Sequence, residues 1–191
     1  RKGWSGLAKL GTVRVHAVHA GPELASAFAE FLRLEASGWK GEGGTTSALA
    51  YDPPRRAFCE HVFSAPTAKC HAEINLLAVD ERAVAAQLCM VRGGIRSVVK
   101  IGHDQSLQKF SPGSVLLDAL LKRSCELHDV DNISLVTGLG WMREWGTESV
   151  IVGDLWLFRS RLATAALRGL LHLKDRPEAG CAPIAPAPEL L

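Results

Sequence analysis

The residues richest in chemical possibility are Ser111-Pro112-Gly113-Ser114, which follow a β-like run at 97–104 and open an apolar-periodic stretch at 115–127. Ser111 can cap a helix, Pro112 suits its first position because its missing N–H would have no partner there, and Gly113 lets a ligand approach the backbone. The N–H groups and positive dipole end of such a helix attract an anion, a phosphate group above all. An ordinary helix start has the same spelling, so the segment gains meaning from what stands around it.

Several charged side chains do. Asp104 ends the β-like run, where its carboxylate could take a proton from an attacking group or bind the attacking molecule; capping the loop before the helix is the alternative. Lys100, inside the run, needs a carboxylate partner if it points inward, and Asp104 or Glu35 can serve. Glu35 closes the otherwise apolar helical stripe of Leu24, Phe28, Phe31 and Leu32. That places a carboxylate suited to base work at the sheet edge, or else in solvent at a helix end.

Trp39 and Lys40 sit in Gly38-Trp39-Lys40-Gly41-Glu42-Gly43-Gly44. A stacking face beside a point charge suits a sugar or a nucleotide-bearing acceptor, although Trp39 could equally anchor the loop to the core. His103, next to Asp104, is read as facing the other way, satisfied or exposed. The sequence spells no P-loop, no Ser-His-Asp elbow and no metal-ligand spacing, and His61, Cys70 and His71 do not make a zinc site.

These residues must be positioned by a folded domain. The 191-residue chain is 47% hydrophobic and 22% charged, which excludes disorder of the whole. Its formal net charge of +2, with no basic block interleaved with aromatics, does not imply nucleic acid. Five cysteines without a C-x-x-C pair read as reduced, mostly buried thiols of a cytoplasmic protein. No signal peptide and no membrane-spanning run is seen. The chain starts at Arg1, as expected of a fragment of something longer.

The periodicity predicts a strand at 12–18, a helix that starts at Pro22 and ends just before Gly38, and a second helix at 55–65 with Phe58, Val62 and Ala65 on one face. It then predicts three strands at 74–79, 83–91 and 95–101. Turn signals at 80–82 and 92–94 make them an antiparallel meander that ends at the anion-ready helix. A short strand at 132–136, a long one at 150–158 and a helix at 161–173 complete the order, and the Trp141 and Trp145 pair between the two strands suits the core better than a substrate platform. The tail at 176–191 is Pro-rich and expected to be disordered. The order β-α-α-β-β-β-α-β-β-α gives an α+β fold with a mixed sheet.

Glu35-x-x-Gly38-Trp39-Lys40-Gly41-x-x-Gly44-Thr45, then Lys100-Ile101-x-x-Asp104 and Ser111-Pro112-Gly113, resemble the GNAT-like acetyltransferase domain associated with bacterial cellulose and exopolysaccharide synthesis. That domain is similar to the Fem-type peptidoglycan aminoacyltransferases. The resemblance covers residues 7–173 and implies one GNAT-like domain over 1–175, the C-terminal module of a longer protein whose N-terminal GNAT-like module would be its partner. It implies acetyl-CoA or another acyl-CoA as donor and a small-molecule or glycan-precursor acceptor with an amine or hydroxyl. Donor contacts would fall to Ser111, Gly113, Ser114, Lys100 and Ile101, catalysis to Asp104 and Glu35, and acceptor contacts to Trp39 and Lys40. Backbone N–H groups near 100–102 would polarise the thioester carbonyl.

One departure stands out. Many such enzymes use a Tyr to protonate the departing thiolate, and the single Tyr here, Tyr51, lies in the Asp-Pro-Pro loop. A non-catalytic partner-binding or glycan-binding module is therefore the rival reading. Transfer from aminoacyl-tRNA is a third, and the modest net charge offers it no large basic groove.

Overall fold

The structure, a computed structural model, describes residues 2–19, 21–38, 40–64, 71–136, 140–151 and 160. The chain divides into two units, Arg1–Thr147 and Glu148–Leu191. In the second unit the described residues, 148–151 and 160, belong to no helix or strand. The expected strand beyond 151, the helix at 161–173 and the tail lie outside the described residues.

The first unit runs α1 (Lys2–Leu7), β1 (Val13–Val18), α2 (Glu23–Ala36), α3 (Pro53–Ser64), β2 (His71–Val79), β3 (Arg82–Arg92), β4 (Ile95–His103), α4 (Pro112–Leu127) and β5 (Asn132–Ser134). Short 3-10 helices stand at Leu49–Tyr51, Gln105–Phe110 and Gly140–Trp145. The strands form one five-stranded sheet in sequence order, antiparallel from β1 to β4 and parallel between β4 and β5. The α+β class and the meander are thus as the sequence predicts. Two-residue turns join the meander: Gly93 and Gly94 both take positive φ between the paired Arg92 and Ile95, as a tight hairpin requires. Asp80 has φ 53° in the other turn, and its carboxylate accepts the Thr12 N–H at 2.9 Å.

Each face of the sheet is covered. On one side the α2 stripe of Leu24, Phe28 and Phe31 packs with Phe63 of α3 over Ile74, Ala86 and Leu88. On the other, Leu116 meets Leu7, Leu77 and Val84, while Leu117 and Leu120 meet Cys89 and Val98. The α3 face differs from expectation. Phe58 is 67% exposed, and Phe63, with Val62 and Cys59 beside it, faces the core.

Under α4 lies a buried ionic cluster. Arg96 of β4, 2% exposed, reaches Asp129 at 2.7 Å and Glu73 of β2 at 3.3 Å. Arg123 of α4 closes on the same Glu73 and bonds Asn75 at 2.9 Å. Cys89 lies in this region, where burial and then the Glu73 charge push its thiol up to about 12 and leave it inert. Cys125, by contrast with the expected buried thiols, is exposed. Among the described residues no helix is long and apolar enough to cross a membrane.

Candidate active site

A cleft of about 620 Å³ opens where β4 and β5 part. Their pairing covers only Ile95–Ser97 against Asn132–Ser134, so β4 beyond Ser97 has no second neighbour among the described strands. Val98 to His103 form one wall, Leu135 and Met142 contribute to another, and the start of α4 closes an end with Gly113 and Ser114. On its other edge β4 slips register: Leu88 pairs with Lys100 and Cys89 with Val98, which leaves Val99 bulged out. A bulge re-aims backbone and side chains at such a place.

The pleat then sorts the side chains after the bulge between the two faces. Ile101 and His103 turn toward α4, where a Cβ built on Gly113 would meet Ile101 Cγ2 at 3.4 Å and His103 Nδ1 at 3.6 Å. Lys100 and Gly102 turn toward α2. Gly102 is needed there, because a Cβ on it would lie 2.7 Å from the Glu35 amide nitrogen.

Glu35, on the last turn of α2, is the carboxylate partner of Lys100. Its side chain is fully buried, Oε1 receives Lys100 Nζ at 2.7 Å and lies 3.6 Å from Lys40 Nζ, and Oε2 accepts the Leu49 N–H at 2.9 Å. Both lysines keep about a quarter of their side-chain surface, 27% and 26%. The loop after α2 brings Lys40 back to this carboxylate through a turn closed by Gly41 N–H on the Gly38 carbonyl at 2.8 Å. Glu35 thus lines the cleft with both carboxylate oxygens engaged, Oε1 by the two lysines and Oε2 by Leu49.

Asp104 follows the capping alternative. It does not line the cleft; its Oδ1 accepts the Ser106 N–H at 3.0 Å and the Ser106 hydroxyl at 2.6 Å, and its Oδ2 takes Arg82 at 2.6 Å. Burial pulls its pKa upward, but the Ser106 hydrogen bonds and the Arg82 charge outweigh this and hold it below 3.8.

Ser111 occupies the helix-start position without capping it. Its φ of 50° and ψ of 54° are left-handed, its side chain makes no cap hydrogen bond, and its backbone joins the 3-10 turn to α4. Its carbonyl accepts the Val115 N–H at 3.0 Å, so the first helical bond is in place. The N–H groups just inside the helix have no intrahelical acceptor and point out of its start, as the sequence predicts.

His103 faces away from Asp104, as the sequence predicts, and that turns it into the cleft. Burial, opposed by the Asp104 charge and aided by that of Lys40, lowers its pKa below 6.5 and favours the neutral form. Gln105 and Gln108, also on the cleft, were not singled out by sequence; their only signal was a place just before the helix start. Tyr51 is 44% exposed and does not line the cleft. Trp39 lies outside the described residues, and so does the Trp141 side chain, while Trp145 packs near Leu117 and Leu120. Among the described residues no group of three His, Cys, Asp or Glu side chains could hold a metal ion.

A meander whose last strand bulges and parts from a parallel neighbour, beside a helix N-terminus, defines an acyltransferase of the GNAT class. Residues 1–146 match the sequence model of the acetyltransferase (GNAT) domain, and the chain belongs to that family. Comparison with solved structures finds similarity at low identity. An aminoglycoside acetyltransferase from an uncultured soil metagenomic sample, in complex with sisomicin, is 11% identical over 77% of this chain and 97% of its own, with a TM-score of 0.47. A ribosomal-protein-alanine N-acetyltransferase from Brucella melitensis is 17% identical over 78% and 99%, TM-score 0.47. A GNAT family acetyltransferase from Staphylococcus aureus is 12% identical over 75% and 98%, TM-score 0.45. No curated protein matches.

Proposed function

We propose that this acetyltransferase moves an acetyl or other acyl group from acyl-CoA to an amine or hydroxyl of a sugar-type acceptor. The observation that carries the donor assignment is the start of α4 at Gly113 and Ser114, which opens directly on the cleft beside the part of β4 that has no second neighbour among the described strands. Backbone N–H groups and the helix dipole there suit the donor's pyrophosphate. Ser111, Gly113 and Ser114 would hold it, and His103 and Ile101 would flank it. The exposed edge at 98–102 offers backbone N–H groups to the thioester carbonyl, where negative charge develops as the acceptor attacks. The apolar wall of Val98, Val99 and Leu135 keeps water from the thioester.

No described side chain on the cleft is an open carboxylate. The acceptor amine would therefore reach the thioester after losing its proton under the field of Lys100 and Lys40, which disfavours a neighbouring positive charge. Attack forms the new C–N or C–O bond and the C–S bond breaks; the attacking nitrogen or oxygen sheds its proton to solvent, and the thiolate takes one from solvent, since Tyr51 is elsewhere. The sugar-type acceptor and a setting in exopolysaccharide synthesis rest on the resemblance of the Glu35 to Thr45 segment. A cytoplasmic location rests on the acyl-CoA donor.

Calorimetric titration of acetyl-CoA into the purified chain tests the donor site. Gly113→Glu puts a carboxylate at the helix start, where a Cβ meets only ordinary contacts. Binding to the native chain that is lost in this variant supports the reading; a folded native chain that binds no acetyl-CoA overturns it.

A further inference from the structure

His103 stands where the β4 wall of the cleft meets the start of α4. A Cβ built on Gly113 would lie 3.6 Å from its Nδ1, and His103 lines the cleft together with Gly113 and Ser114. Of the described residues that line the cleft on this side, the one given above to the donor's pyrophosphate, His103 is the single titratable one. Few charges face it. Asp104, its neighbour in the chain, is turned to Ser106 and Arg82, and Lys40, from the loop after α2, is in contact with Glu35. The first turn of α4 carries no charged side chain, β3 sets Ala85 opposite, and in the 3-10 turn before α4 Lys109 lies over the Phe110 ring, 4.9 Å from its centroid. In the free chain, burial and the positive end of the α4 dipole both disfavour an imidazolium at this place.

We propose that His103 holds the donor's pyrophosphate as the imidazolium, so that binding of acyl-CoA takes up a proton at this ring. This rests on the donor reading above and adds a binding residue and a protonation step to it. Each phosphoryl group of the pyrophosphate carries negative charge. Beside His103 that charge reverses the balance, because a nearby anion favours the charged ring and a charge-assisted hydrogen bond gains strength in a partly desolvated place. The ring is neutral before binding and charged after it, and the proton comes from solvent. Donor affinity therefore rises as pH falls through the bound-state pKa of His103 and levels off below the free-state one. Above the bound-state value the ring is neutral in both states and adds no pH dependence.

The test is calorimetric titration of acetyl-CoA between about pH 6 and about pH 8, in buffers of different ionisation heat so that protons taken up are counted. The donor's own phosphates titrate in this range, so the native chain is compared with His103→Gln and His103→Asn, which keep a neutral hydrogen-bonding side chain. From the upper to the lower pH the native chain should gain at least about threefold more affinity than either variant, and it should take up more of a proton per acetyl-CoA. At the upper pH the variants should bind within about threefold of the native chain. In the native chain alone, NMR should show the His103 titration midpoint rising when acetyl-CoA saturates it, a readout that needs no variant to fold. An unmoved midpoint, or equal proton uptake and pH dependence in native and variant chains, overturns the role of His103 and leaves the donor reading standing. So does a loss of affinity in the variants as large at the upper pH as at the lower, since the ring then acts without its proton. A folded native chain that binds no acetyl-CoA at any pH overturns the donor reading, and this proposal with it.

Discussion

Lys100 and Glu35 stand 65 positions apart in the chain and 2.7 Å apart in space. The bond joins the last turn of α2 to the bulged strand β4 beside the cleft, so one ion pair ties the position of α2 to that of the β4 wall. Its geometry also settles which of two candidate carboxylates serves Lys100. Asp104, the other, is turned to Ser106 and Arg82.

Glu35→Gln should destabilise the chain by about 2 kcal/mol, less than the full cost of breaking a buried pair because the lysines retain access to water. The amide oxygen can still accept the Leu49 N–H. Glu35→Ala should cost more, because that N–H is then left buried without a partner. Urea denaturation of both variants measures the difference.

Asp104→Asn separates capping from catalysis. A general base would lose about 10²–10⁴-fold in kcat/KM, whereas a cap leaves it within about threefold and costs about 1 kcal/mol of stability. Because the folded pKa of Asp104 lies below 3.8, its stabilisation is present above that value and is lost as pH falls through the folded one. Acid denaturation of Asp104→Asn should therefore be shallower at the low end.

Ser111→Gly should raise stability by about 1 kcal/mol, since a left-handed conformation is costly for serine and free for glycine, and the serine side chain makes no cap bond. Thermal unfolding reads this directly. A fall in stability would mean the hydroxyl has a structural bond after all.

His103 sets a pH dependence of the opposite sense to a paired histidine. Its pKa is lowered on folding, so below 6.5 the unfolded chain binds the extra proton first and stability declines as pH falls toward the folded value. In His103→Gln this decline should flatten between the two values. Urea midpoints at several pH values between 5 and 7.5 test it.

Glu73→Gln leaves Arg96, 2% exposed, with part of its compensation gone and Arg123 without its carboxylate. A loss of about 3 kcal/mol is expected, measured by urea denaturation. Acetyl-CoA binding per folded molecule should not change, since none of the cluster lines the cleft.

By itself the sequence determined the α+β class, the three-strand meander and the helix starting at Pro112, because these depend on local signals. Alternation marks the strands, Gly93-Gly94 demands a tight turn, and Pro112 suits a first helical position. The pairing of an inward Lys100 with a carboxylate was also legible, from the cost of burying a lone charge. Which carboxylate it was could not be read, because Asp104 and Glu35 are equally acidic in sequence and differ only in what surrounds them.

Tertiary structure decided the rest. The bulge at Val99 depends on register with β3, and it sets Lys100 and Gly102 toward α2 and Ile101 and His103 toward α4. A one-residue slip exchanges the two faces of a strand, so His103 could be assigned to the cleft only once the bulge was known. Ser111 likewise has the spelling of a cap, but the 3-10 turn before it forces the backbone into a left-handed conformation and takes the side chain away from that role. Local sequence specified the parts, and the long-range contacts among α2, β4 and α4 specified what each part faces.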